Sequence, residues 1–93
     1  MFIISLKFGA NKARAGEFMT AHRDWIGQGF ADGVFLLVGN LEPGQGGAIL
    51  AHGGSRASIE ARIAQDPFVA QGVVNVDLLE ITPSRADPRL AFL

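Results

Sequence analysis

Three side chains in this 93-residue chain have acid–base potential that their neighbourhoods do not explain: His22, Asp66 and His52. His22 is the most conspicuous. At roughly 100° per residue, Ala15, Phe18, Met19, His22, Trp25, Ile26, Gly29 and Phe30 fall on one apolar helical stripe, with Glu17, Thr20, Asp24 and Gln28 opposite. A histidine aimed at the core needs a partner, because an unpaired buried polar group costs about 1–3 kcal/mol. A backbone carbonyl would make it structural; a carboxylate would suit it to proton transfer near neutral pH. Asp66 stands directly before Pro67, where a helix cap is the simple reading. The same carboxylate on one ring nitrogen of His22 would fix the tautomer, favour the imidazolium and leave the other nitrogen to take a substrate proton. General-base catalysis of that kind is typically worth about 10²–10⁴ in rate. His52, followed by Gly53 and Gly54, reads as a solvated loop histidine.

Other chemistries find less support. Two histidines and scattered carboxylates lack the spacing of a metal site, and no cofactor is expected. Gly44-Gln45-Gly46-Gly47 joins two strands with no lysine or helix start behind it, so it is a poor phosphate cradle. The third strand, Ala48-Ile49-Leu50-Ala51, has none of the aromatic and basic residues that stack on RNA bases, and a net charge of −1 offers no nucleic-acid or membrane footprint. Cysteine is absent, which removes disulfides and thiolate chemistry. The opening apolar run lacks a basic leader and is too short for a signal peptide, and no later run could cross a bilayer, so a cytoplasmic location is expected.

The elements that must position these residues follow from periodicity. Phe2, Ile4, Leu6 and Phe8 alternate with Ile3, Ser5 and Lys7 as a first strand. A long helix is predicted from Asn11, as N-cap, to the Gly29, Asp32, Gly33 cluster. Val34 to Val38 and Ala48 to Ala51 are strands apolar on both faces, joined through the Leu41 to Gly47 hairpin connection. Ser55 or Ser58 caps a second helix with Ile59, Ile63 and Ala64 inward, followed by a fresh helical turn from Pro67 to Gln71 that Gly72 stops. Val73 to Ile81 is the last strand, with a bulge expected where alternation slips at Leu78-Leu79. From about residue 83 an apolar, proline-containing tail remains, too greasy to hang free and expected to dock on a partner chain.

The order β-α-β-β-α-β predicts one α+β ferredoxin-like domain over residues 1–93: a four-stranded antiparallel sheet with two helices on one face. The other face stays uncovered. Hydrophobic residues make up 48% and charged residues only 18%, so a homodimer through the helix-free face is expected.

Taken together, Ala21-His22 followed by Trp25 or Ile26, then Gly33, Val38-Gly39 and Asp66-Pro67-Phe68-Val69-Ala70-Gln71-Gly72 resemble the YciI-like (YCII-related) proteins from Met1 to about Thr82. That resemblance implies a dimeric α/β barrel in which His22 and Asp66 line a pocket between helices and sheet as a catalytic dyad. Relatives placed in aromatic degradation look like lyases that remove chloride from a chlorinated, hydroxylated aromatic ring, and similar barrels house isomerases and monooxygenases. Asn40 stands where many relatives carry proline, a departure at the pocket rim. Two functions are therefore carried forward. One is a cofactor-free enzyme acting on a small apolar or aromatic substrate through His22 as base and Asp66 as orienter. The other is a non-catalytic dimeric module, binding a small ligand or a protein, in which the pair is only a buried tie.

Overall fold

Alternation should bury Phe2, Ile4 and Leu6 together, and the computed structural model, which describes residues 1–93, has β1 at Phe2–Phe8 with those three side chains almost fully enclosed. The next strands are β2 (Phe35–Leu41), β3 (Gly46–Ala51) and β4 (Val74–Glu80), in the antiparallel order β2-β3-β1-β4. Helices α1 (Ala15–Ala31), α2 (Arg56–Ala64) and α3 (Pro67–Ala70) supply the rest of the predicted ferredoxin-like order. The core forms on a single face of the sheet, where Ile4, Ile49 and Phe35 meet Trp25, Ile59, Ile63 and Phe68 from the helices.

Local signals explain most boundaries. Ser55 caps α2, its hydroxyl accepting from the Ser58 amide at 3.1 Å. At the end of α1, Gly33 takes φ +72°, a left-handed exit that residues with a Cβ rarely adopt. The start of α1 differs from expectation. The Asn11 side chain caps no helix: residues Lys12–Arg14 form a 3₁₀ turn, and the Asn11 side-chain amide instead donates to the Gln71 carbonyl at 2.8 Å. That tertiary bond outcompetes a local cap, because it joins the entry to α1 with the exit from α3.

Two further expectations are corrected in the strands. β4 pairs with β1 without a break through Leu78 and Leu79, so the anticipated bulge is absent there; Leu78 faces the helices and Leu79 the opposite side. The irregularity lies in β2, where the register against β3 skips Leu36 between Phe35 and Leu37. After that extra residue, Leu37 turns to the helix-free face and Val38 to the helix side.

The helix-free face has a definite pattern. Leu37, Leu50, Ile3 and Leu79 are successive cross-strand partners, an apolar row spanning all four strands, and Leu37 and Leu79 are each more than half exposed. Towards the other end of the sheet the same face turns polar, with Ser5, Lys7, Asn75 and Asp77.

Helices α1 and α2 are tied twice through Arg62. Its guanidinium meets Asp32 at 3.0 Å, and its carbonyl accepts from the Trp25 indole at 2.9 Å. A side-chain bond from Gln28, then one from Arg62, hold the surface Asp32 carboxyl below the usual carboxylate range, so this tie is intact at neutral pH and is lost only as the pH falls below that range. The tail beyond β4 forms a 3₁₀ turn at Pro88–Leu90, and Phe92 packs edge-on against His52 of its own chain.

Candidate active site

Helix α3 is only four residues long, and its first turn is organised by one carboxylate. Asp66, fully buried, is the N-cap: its Oδ1 accepts the Phe68 amide at 3.0 Å while Pro67 fills the first helical position. The same Oδ1 receives His22 Nδ1 at 2.7 Å, across 44 residues of chain. The cap and the dyad partner are thus one oxygen atom. Asp66 Oδ2 is buried with no hydrogen-bond partner in the chain, an unusual state for a carboxylate oxygen.

The imidazole is held by packing as well as by its hydrogen bond to Asp66. Its ring lies flat on Phe68 at 3.9 Å between centroids and 4° between planes, and Trp25 stacks more loosely at 6.0 Å. An ionised carboxylate only accepts, so Nδ1 must carry the hydrogen it shares with Asp66. In the neutral ring Nε2 then has a free lone pair, and no protein group bonds to it. This is the tautomer a general base requires.

His22 opens on a cavity of about 490 Å³ between α1 and the sheet. Leu6, Phe8, Met19, Ile26, Val38 and Ile49 give it mostly apolar walls. The floor is open because β3 carries Gly47 on the helix side; a Cβ there would meet only the Gly39 carbonyl, at 3.3 Å. The volume suits a single-ring ligand, within the range of about 300–1,000 Å³ usual for small-molecule sites.

The sequence-predicted residues divide clearly. His22 and Asp66 meet, and His22 faces the cavity. His52 belongs elsewhere: its Nε2–H donates to the Gly33 carbonyl at 3.1 Å, so it is a structural link beside the tail rather than a free loop side chain. Arg23 and Asn40 also line the cavity. Arg23 escaped the sequence reading because it flanks the apolar stripe, although its four-residue spacing from Met19, which is four from Ala15, is a helical-face signal. No three histidine, aspartate or glutamate side chains cluster as metal ligands, and no helix is long and apolar enough to cross a membrane.

The family model for the YCII-related domain matches residues 1–82 of the chain. No curated protein matches it.

Proposed function

The chain belongs to the YCII-related family, and from that membership and the site geometry we propose that it is a small-molecule enzyme working by general acid–base catalysis. The observation that carries this is the direction of the dyad: Nδ1 is fixed on a buried carboxylate while Nε2 is left to the cavity. His22 takes a proton from a ring hydroxyl or an acidic C–H, and Asp66 orients the ring and stabilises its charged form. On a chlorinated, hydroxylated aromatic ring the reaction is a dehydrochlorination. In the ring tautomer whose chlorine-bearing carbon is saturated, Nε2 removes the proton of a conjugated enol, a C=O forms, the double bond shifts, and the C–Cl bond breaks with its electron pair as chloride. The net loss is HCl, and neither oxidant nor reductant is consumed.

The test is chloride release from a panel of chlorinated hydroquinones with and without a ring carboxylate. Wild-type protein should release chloride well above the rate in buffer, and His22→Ala should fall by about 10²–10⁴-fold. Release at the buffer rate across the panel would remove the dehydrochlorinase assignment, and equal rates for wild type and variant would remove His22 from the chemistry. Stability does not separate this function from the non-catalytic module. Asp66 is buried with one oxygen already unpaired, so losing His22 costs stability under either reading.

A second copy of the chain is the proposed cover for the apolar row Leu37, Leu50, Ile3 and Leu79. A standard interface of about 800 Å² per partner is within reach of such a sheet face, and a domain this small gains proportionately from burying it. Light scattering should give about twice the 9.9 kDa chain mass for wild type, and Leu79→Glu, which places a charge in the row, should return the monomer mass. A wild-type protein already at monomer mass would overturn the dimer.

A further inference from the structure

The cavity walls are apolar, yet the one lining side chain with a fixed charge is a cation, Arg23. His22 and Arg23 line it, and no aspartate or glutamate does. Arg23 also differs from most of its kind in this chain. Arg14, Arg56, Arg62 and Arg89 each pair with a carboxylate within 4.0 Å, whereas Arg23 forms neither an ion pair nor a hydrogen bond. A second unpaired cation lies close by: Lys12 sits with its ammonium 4.6 Å from the ring centroid of Phe8, which is itself a wall residue.

From this we infer that the occupant of the cavity is a small organic anion, a ring-sized molecule bearing a carboxylate, and that Arg23 is the residue that selects it. The inference rests on the proposed function for the identity of the site and adds the chemical class of its ligand. Helical geometry supplies the mechanism. Ala15, Met19, His22, Arg23 and Ile26 fall on the cavity-facing side of α1, so the base and the guanidinium are consecutive residues on one rigid helix. A carboxylate held by the planar guanidinium fork takes two parallel hydrogen bonds, which fix orientation as well as position. Asn40, across the cavity on β2, can donate a further bond from its amide. The apolar walls and the glycine floor then receive the ring, and its reacting hydroxyl or C–H is brought towards Nε2 of His22. Arg23 acts here as a binding and positioning residue, and the proton transfer stays with His22.

The experiment uses amide NMR of the full chain titrated with benzoate and with its neutral isostere benzamide, in wild type, Arg23→Gln and Arg23→Lys. Benzoate should shift the Met19, His22 and Gly47 amides and bind at least about tenfold more tightly than benzamide. Arg23→Gln should abolish that preference while leaving benzamide binding unchanged, and Arg23→Lys should keep part of it through charge without the fork. A substituted exposed helix residue leaves the fold intact, and an unchanged amide spectrum away from the cavity verifies this. Equal binding of the two probes in wild type, or an undiminished benzoate preference in Arg23→Gln, overturns the anion inference and leaves the acid–base site standing. If neither probe shifts any cavity amide, the inference falls together with the cavity as a ligand site.

Discussion

Asp66→Asn should abolish most turnover while leaving the protein folded. Asparagine has the same shape, so one of two arrangements follows. In the first, its carbonyl keeps both the Phe68 amide and the His22 Nδ1–H, the cap survives, and the negative charge that stabilises the imidazolium is gone. In the second, its NH₂ turns towards Nδ1, which moves the ring hydrogen to Nε2 and leaves no base facing the cavity. Both arrangements impair proton transfer, and the expected loss in kcat is about 10³–10⁴-fold. KM should change little, because Asp66 lies behind the imidazole and does not line the cavity. Steady-state kinetics on a turned-over substrate measures this directly. The double variant with His22→Ala should be hardly slower than His22→Ala alone, since the two residues act as one unit. A kcat near wild type for Asp66→Asn would reduce the carboxylate to a helix cap.

How far these residues could be read from the chain depends on whether the deciding contact was local. β1 was legible to the residue, because one strand's alternation against a helical layer is a two-residue pattern. Asp66 was legible as a cap, and Ser55 as one of two candidates beside Ser58, for the same reason: the bonds they make lie within three residues. Asn11 was misread because its amide bonds a carbonyl 60 residues away, and nothing in its own neighbourhood announces that. The faces of β2 were illegible because both are apolar, so the skipped residue at Leu36 could not be seen and the slip at Leu78-Leu79 looked like the irregular site instead. The dyad falls between these cases. Each partner was conspicuous on its own, but their meeting depends on where α1 passes α3, a tertiary fact. Arg23 was hidden by its charge, since an arginine beside an apolar stripe normally belongs to the solvent.

The largest stability effect is expected within α1, where two glycines should respond to the same substitution with opposite signs. A helix-interior glycine costs about 1 kcal/mol relative to alanine, so on propensity alone both Gly27→Ala and Gly29→Ala would stabilise. At Gly27 a Cβ meets nothing within 4 Å, and Gly27→Ala should add about 0.5–1 kcal/mol. At Gly29 a Cβ would overlap Cδ2 and Cε2 of Phe35, far inside van der Waals contact. That ring cannot easily withdraw: Phe35 is 2% exposed and packs edge-to-face with both Trp25 and Phe30. Overpacking of this kind typically costs about 1–3 kcal/mol, so Gly29→Ala should be a net loss and Gly29→Val a larger one. Thermal denaturation resolves the difference, since 1 kcal/mol moves the Tm of a domain this size by about 4–8 °C. The consequence reaches the site, because Trp25 stacks on His22 and donates to Arg62, so a displaced Phe35 disturbs the packing that holds the His22 ring. If Gly29→Ala raised the Tm as Gly27→Ala should, Phe35 would have room to move and the aromatic layer behind His22 would not be the rigid support the geometry describes.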